Sequence, residues 1–131
     1  MDTSDTSSQY LLLFRGDHWD EGITNEELQK RMDRVLAWFN SLEGTGRVKG
    51  GQPLDSEICL VSKQNGRSVS DRSLIESKEA IGGYLLLSAD SFDEAVSVAQ
   101  SCPTLDFGIT IEVRPVLSEC PVFKRAMERL A

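Results

Sequence analysis

The spacing of hydrophobic residues along the chain predicts an alternation of strands and helices. An unbroken apolar run at 9–15, bracketed by polar residues, has the length of a buried strand. Thr24 and Glu27 then form a capping box, in which the threonine side chain satisfies a backbone N–H group at a helix start. Apolar residues recur at steps of three and four until Gly44 and Gly46, so we expect one amphipathic helix. Its stripe consists of Leu28, Met32, Val35, Leu36, Phe39 and Leu42.

The middle of the chain predicts a β-hairpin. Extended segments are expected at 47–50 and 57–63, and the second is predicted to be a core strand because it is rich in apolar residues. Asn65-Gly66 is a strong turn signal, since an Asn-Gly pair readily adopts the positive φ angles of a type I′ turn. We therefore expect 57–63 to pair antiparallel with 67–70. The apolar residues of that strand are Ile58, Cys59, Leu60 and Val61.

The second half of the chain repeats the order of strand, helix and strand. Gly82-Gly83 opens an apolar strand at 84–88, and Ser91 caps a second helix that Pro103 ends. The residues predicted to face inward from this helix are Ala95, Val98, Ala99 and Cys102.

An edge strand and a terminal helix follow. Apolar and polar residues alternate from 108 to 115, as in a half-exposed strand at a sheet edge. Pro121 is tolerated in the first turn of a helix and begins the last element. The apolar stripe of that helix consists of Phe123, Ala126, Met127 and Leu130.

This order of elements predicts an α+β fold, a ferredoxin-like sandwich whose two crossover helices cover one face of an antiparallel sheet. The other face needs a cover, so a homodimer that packs sheet against sheet is expected, as in dimeric α+β barrels. We divide the chain into a disordered tail at 1–8, the α+β domain at 9–116 and a C-terminal helix at 117–131.

Composition and charge narrow the possible partners and the compartment. The 131 residues are 40% hydrophobic and carry a net charge of −7, which disfavours nucleic acid as a partner. The longest apolar stretch, 11–14, is too short to span a membrane, and 1–8 has no features of a signal peptide. Three widely spaced cysteines favour a reducing compartment, so we expect a cytoplasmic protein.

Several short motifs stand in a fixed order between 9 and 116. They are Tyr10-Leu11-Leu12-Leu13-Phe14, a turn at Gly50-Gly51-Gln52-Pro53-Leu54, Val69-Ser70-Asp71, Glu76-Ser77-Lys78-Glu79, Ile81-Gly82-Gly83-Tyr84, Asp93-Glu94-Ala95, Cys102-Pro103 and Ile111-Glu112-Val113-Arg114-Pro115-Val116. In this order and spacing the chain resembles the YCII-related domains, in the branch often called the DGPF family. The resemblance implies a dimeric ferredoxin-like fold with a pocket between the sheet and the polar segments.

The chain departs from that family at one motif. Where the family typically has Asp-Gly-Pro-Phe, this chain has Asp71-Arg72-Ser73-Leu74, which keeps the acid and an apolar fourth residue but replaces the Gly-Pro turn. The best-known relatives carry a His and Asp pair proposed as an active site, whereas members of the DGPF branch lack the equivalent histidine. The resemblance therefore implies a pocket and leaves the reaction open.

His18 is the single histidine and the candidate acid or base. Its loop holds Asp17, Asp20 and Glu21, carboxylates that could orient the imidazole. The alternative is a surface histidine without a role, which is the more common case for a polar loop residue. No metal-ligand spacing and no phosphate-binding loop is present, so neither a metal nor another cofactor is predicted.

A second group of candidates precedes the strand at 84–88. Asp71, Glu76 and Lys78 could point into the same cleft as Arg15, at the end of the first strand, where a guanidinium could bind an anionic group. The alternative is that Asp71 caps a turn and that Lys78 pairs with a neighbouring acid in solvent.

Three functions remain open from the sequence. The first is a homodimeric module that binds a small, anionic molecule through Arg15, His18 and Asp71, with Glu76 and Lys78 nearby. The second is a small enzyme in which His18 and a carboxylate, with Asp71 as the family's motif acid, act in acid-base catalysis. The third is an accessory or interaction domain whose sheet surface serves only as a dimer interface.

Overall fold

The computed structural model describes residues 8–16, 18–71 and 80–131, with Asp71 described by its backbone alone. The predicted tail at 1–8 lies outside these residues except for Ser8, which begins the first strand. The elements are β1 (Ser8–Arg15), α1 (Asn25–Gly44), β2 (Val48–Pro53), β3 (Leu60–Gln64), β4 (Arg67–Asp71), β5 (Ile81–Ala89), α2 (Phe92–Gln100), a 3₁₀ turn (Pro103–Phe107), β6 (Thr110–Pro115) and α3 (Pro121–Leu130).

The main sheet has four strands in the order β2-β5-β1-β6, and each neighbouring pair is antiparallel. The connections β1-α1-β2 and β5-α2-β6 each pass over one intervening strand, which gives the ferredoxin-like arrangement of two interleaved β-α-β units. The predicted α+β fold is confirmed, as is the position of β6 at a sheet edge.

The hydrophobic core lies between one face of the sheet and the helices. Tyr10 and Leu12 of β1 are paired with Leu87 and Leu85 of β5, and because side chains alternate along a strand all four share one face. The core cluster also includes Ala89 of β5, Ala95 and Ala99 of α2, and Leu42 of α1. The small alanines let α2 approach the sheet closely. Leu42 is the one buried residue of α1, so the rest of α1 lies farther from the core.

The predicted caps and the hairpin turn are confirmed. Thr24 Oγ1 accepts a hydrogen bond from the Glu27 backbone N–H at 3.1 Å, and Ser91 Oγ accepts one from the Glu94 N–H at 3.1 Å. Asn65-Gly66 joins β3 to β4, and the φ angle of Asn65 is 52°. These local signals act within a few residues and need no tertiary contact.

The prediction that the strand at 57–63 belongs to the core is wrong. β3 pairs with β4 in a separate two-stranded sheet, and the side chains of Leu60 and Val61 are 57% and 71% exposed. Cys59 is also exposed. The segment predicted as a turn at 50–54 is corrected too, because residues 50–53 belong to β2 and pair with β5.

Two apolar surfaces of the chain remain open to solvent. Leu11, Leu13 and Leu86 lie on the sheet face opposite the core and are half-buried. On α3, Phe123 and Leu130 are 72% and 83% exposed, so the described residues of the chain do not cover the apolar stripe of this helix.

The three cysteine thiols differ in accessibility. Cys59 and Cys120 are exposed, whereas Cys102 is 3% exposed and its burial raises the pKa of its thiol. Because the thiolate is the reactive form, we expect Ellman's reagent to modify two thiols rapidly and the third only as the protein unfolds in urea. A variant that carries serine at 59 and 120 should retain the slow phase alone; a rapid phase in that variant would contradict the burial of Cys102.

Candidate functional site

A cavity of about 700 Å³ lies between α1 and the sheet. One wall is formed by Val35, Phe39 and Glu43, which stand four residues apart and therefore project from the same side of the helix. Their eight-residue separation corresponds to about 12 Å along the helix axis. The cavity is thus elongated, and two of its wall residues, Val35 and Phe39, belong to the stripe that periodicity assigns to the core.

The floor of the cavity consists of β2 and β5, where glycines bring the strands together. A Cβ atom on Gly51 would lie 2.7 Å from the Tyr84 carbonyl oxygen and 2.7 Å from Leu85 Cδ2. One on Gly83 would lie 3.1 Å from the Gln52 carbonyl oxygen. The glycines at 51 and 83 are therefore required by the close approach of the two backbones.

The cavity stays open because polar and cationic contacts hold α1 to the 3₁₀ turn. Arg31 and Arg34 lie over the Phe107 ring, with their Cζ atoms 4.5 and 5.2 Å from its centroid. Arg34 also pairs with Asp106 at 2.6 Å, and Arg31 donates to the Trp19 carbonyl oxygen at 2.6 Å. These contacts fix the first half of α1 at a distance from the sheet, which leaves space beneath it.

A further contact fixes the second half of α1. The indole Nε1 of Trp38 donates to Ser101 Oγ at 2.8 Å, just beyond the end of α2. Trp38 and Phe39 also meet edge to face with ring centroids 5.0 Å apart. Both pack against the core cluster, as the apolar stripe predicts for Phe39, and Phe39 also lines the cavity.

One end of the cavity lies where β1 ends and β5 begins. The Gly16 N–H donates to the Ala80 carbonyl oxygen at 2.9 Å, which ties these two strand ends together. Trp19 and Ile109 line the cavity at this end. Several loops therefore converge here on an apolar space, the usual setting of a ligand site.

Polar side chains are sparse among the described residues that line the cavity. Thr104 is the one polar residue that the described part of the fold buries, at 6% exposed. Its side-chain oxygen lies 3.1 Å from Cys102 Sγ. Lys49 and Glu43 also line the cavity but are exposed to solvent. Among these groups the Thr104 hydroxyl is the buried one, while Glu43, Lys49 and Gln52, which also lines the cavity, are in contact with water.

Arg15 lies on the sheet face away from the cavity. Its guanidinium pairs with Glu112 at 2.7 Å, and Glu112 is opposite Leu13 in the register. Because Leu12 faces the core, Leu13 and Glu112 face the other way. The hydrogen bond from Arg15 holds the pKa of the Glu112 carboxyl below its ordinary value, against a smaller opposing effect of desolvation.

The Arg15–Glu112 pair predicts how stability depends on pH. The folded-state pKa of Glu112 is lowered, so the ionised carboxylate stabilises the folded state at pH values above the ordinary carboxyl pKa. This stabilisation is lost as the pH falls through the lowered value. In urea titrations, Glu112→Gln should therefore be less stable than the wild type at pH 7, and the difference should shrink on acidification. Glu119→Gln is the control, because Glu119 pairs with Lys124 at 3.6 Å in solvent; an equal pH dependence in both variants would contradict the assignment.

His18 lies beside the cavity and has a carboxylate partner. Its Nδ1 atom is 3.1 Å from Glu21 Oε2, and both side chains are more than half exposed. Of the three orienting carboxylates that the sequence offers, Glu21 makes this contact, and Asp17 lies outside the described residues. The adjacent Trp19 lines the cavity, whereas His18 is not one of the lining residues.

The remaining sequence candidates are only partly described. Asp71 ends β4, where its backbone pairs with Leu60, and its side chain is not described. Glu76 and Lys78 lie outside the described residues. Ala80, the first described residue after them, accepts the hydrogen bond from Gly16. Their role as ligand contacts stays a prediction.

The sequence pattern did not identify most of the residues that shape the cavity. Val35 and Phe39 belong to an apolar stripe that looks like uninterrupted core, and Thr104 follows a helix end without any motif. Trp19 offers the one available signal, since an aromatic residue in a polar loop rich in glycine is uncommon. Trp19 reaches the cavity because its loop follows the end of β1, where one end of the cavity lies.

The described ranges 8–16, 18–71 and 80–131 lack two further features. Within them, no three His, Cys, Asp or Glu side chains come together as metal ligands. No helix in these ranges combines the length and apolar content that a membrane span requires.

The chain is similar to known proteins in sequence and in structure. The model of the YCII-related domain family matches residues 9–119. Among solved structures, the chain is similar to 5-chloro-2-hydroxyhydroquinone dehydrochlorinase (TftG) from Burkholderia phenoliruptrix AC1100, solved in complex with 2,5-dihydroxybenzoquinone. The two share 21% identity with a TM-score of 0.45, and the match covers 85% of this chain and 95% of the other. None of the curated proteins searched matches the sequence.

Proposed function

This chain belongs to the YCII-related domain family, and from that premise we propose that it binds a small, mainly apolar molecule in the cavity beneath α1. The observation that carries the proposal is the cavity itself, whose 700 Å³ falls within the range of about 300–1,000 Å³ typical of ligand pockets. Its aromatic and aliphatic walls favour an apolar ligand. A cavity of this size weighs against an interaction domain that has no ligand.

Filling the cavity tests this proposal. Val35 lines it, whereas the next residue, Leu36, is 55% exposed on the same helix. Equilibrium dialysis with the β isomers of naphthol and methylnaphthalene should show binding to the wild type and to Leu36→Trp. Binding to Val35→Trp should fall at least about tenfold, because the indole occupies the ligand's space. Absence of binding to the wild type, or equal binding to both variants, would contradict the proposal.

We also propose that two copies pack through the sheet face opposite the core, as the sequence suggests. Leu11, Leu13 and Leu86 support this, since they form an apolar patch there that one copy leaves half-exposed. Leu11→Asp should convert a dimer to a monomer in sedimentation equilibrium. Leu60→Asp, on the exposed hairpin, is the matched control and should remain dimeric. A monomeric wild type would refute the dimer without affecting the cavity.

The second candidate function is catalysis by His18. The contact of 3.1 Å between its Nδ1 atom and Glu21 favours it, because a carboxylate there can fix the tautomer and the orientation of the imidazole, as an acid or base requires. Of the compounds that bind in the cavity, any that the wild type converts should be bound but not converted by His18→Gln. Conversion at the wild-type rate in that variant would exclude this role.

A further inference from the structure

Thr104 supplies a buried hydroxyl at the apolar end of the cavity. It follows Pro103 at the start of the 3₁₀ turn and lines the cavity together with Trp19 and Ile109. Its backbone carbonyl already accepts a hydrogen bond from the Ile109 N–H at 3.2 Å. The side chain is therefore held in place by the turn, and its hydroxyl is the polar group with capacity left for a ligand.

The partner of that hydroxyl is a weak one. Cys102 Sγ lies 3.1 Å away, and either atom can be the donor. If the thiol donates, the threonine O–H is available to donate to a ligand; if the threonine donates, its lone pairs are available to accept. Burial raises the pKa of the Cys102 thiol, so it stays protonated at neutral pH and can serve as the donor or as the acceptor of this bond. A ligand hydroxyl, which is both donor and acceptor, fits either one.

The charge at this end of the cavity favours a neutral ligand group. Arg15, the cation that the sequence assigns to an anion, instead contacts Glu112 on the opposite sheet face. The charged side chains among the described lining residues, Glu43 and Lys49, are exposed to solvent. The nearby cations Arg31 and Arg34 already contact Trp19, Phe107 and Asp106. A carboxylate beside Thr104 would lose its hydration without a cation among the buried lining residues, which is costly in an apolar site.

We propose that Thr104 selects ligands that carry a neutral hydroxyl group on an apolar ring. This inference rests on the proposed function, because it names the ligand class for the same cavity. The ring packs among Phe14, Trp19 and Phe39, and the hydroxyl reaches the Thr104–Cys102 pair. Thr104 is thus a specificity-determining residue, and an anionic ligand is disfavoured.

Three matched probes test the inference: the β isomers of naphthol, methylnaphthalene and naphthoate. They share the ring and differ in one substituent, which is a hydroxyl, a methyl or a carboxylate. Equilibrium dialysis gives the ratio of naphthol to methylnaphthalene affinity for each protein. Because methylnaphthalene is the more hydrophobic probe, the informative quantity is the change in this ratio between the wild type and Thr104→Val, which keeps the side-chain shape.

The ratio should fall about three- to tenfold in Thr104→Val, the effect of one hydrogen bond, and should be kept in Thr104→Ser. An unchanged ratio in Thr104→Val would overturn the inference while leaving the proposed function intact, since both probes would still bind. Naphthoate that binds the wild type as tightly as naphthol would also overturn it, and this comparison needs no variant. Failure of all three probes to bind would instead contradict the proposed function.

Discussion

Replacing Leu87 with alanine is expected to lower the free energy of unfolding by about 2–5 kcal/mol, the usual cost of removing a large core side chain. Leu87 is fully buried in the centre of β5, paired with Tyr10 of β1 on one side and Val48 of β2 on the other. Close neighbours on both sides limit how far the site can collapse around the missing atoms. Urea denaturation followed by circular dichroism would measure the change.

Leu36→Ala is the matched control for this prediction. The same side chain is removed, but Leu36 is 55% exposed on α1, and its loss should change the stability by no more than about 0.5 kcal/mol. A loss of less than about 1 kcal/mol for Leu87→Ala, or equal losses for the two variants, would contradict the position of the core between the sheet and α2.

The fold was predictable where its signals are local. Thr24 and Ser91 cap their helices through bonds to residues three positions ahead, and Asn65-Gly66 forms its turn within four residues. The proline at the start of α3 and the alternation of apolar residues in β6 are local signals of the same kind. Because such signals act at short range, they specify element type and order, and the order alone selects the ferredoxin-like topology.

The position of the hairpin could not be predicted in the same way. Leu60 and Val61 have the β-branched or apolar character of a core strand, yet they lie in a two-stranded sheet apart from the main one. An apolar run indicates that a segment can form a strand, but it does not indicate which other strands that strand will pair with. The pairing partners depend on contacts distant in sequence.

The resemblance implied a pocket, but the residues that form its walls could not be predicted, because they depend on how far α1 stands from the sheet. Periodicity places Val35, Phe39 and Leu42 on one stripe, but only Leu42 is buried, while Val35 and Phe39 line the cavity. The separation comes from Arg31 and the other contacts with the 3₁₀ turn, which join residues more than sixty positions apart. Charged residues on a helix usually indicate a solvated face, so their role in holding the cavity open has no sequence signature.

Alanine at Gly51 and alanine at Gly50 are expected to change stability in opposite directions. At Gly51 the new Cβ would lie 2.7 Å from the Tyr84 carbonyl oxygen, so the backbones of β2 and β5 must separate, at a cost of about 1–3 kcal/mol. At Gly50 the nearest heavy atom would be Leu86 Cβ at 4.0 Å, so alanine fits. There, the reduced entropy of the unfolded chain should stabilise the fold by up to about 1 kcal/mol.

Measuring both variants by urea denaturation separates two roles for these neighbouring glycines. If flexibility of β2 were the requirement, both substitutions would destabilise the fold or weaken ligand binding alike. If the close approach of β2 to β5 is the requirement, only Gly51→Ala should destabilise the fold. Because both glycines line the cavity, naphthol binding should weaken in Gly51→Ala and stay unchanged in Gly50→Ala. Unchanged stability in Gly51→Ala would show that β2 and β5 can separate freely, and the floor of the cavity would then be adjustable rather than fixed.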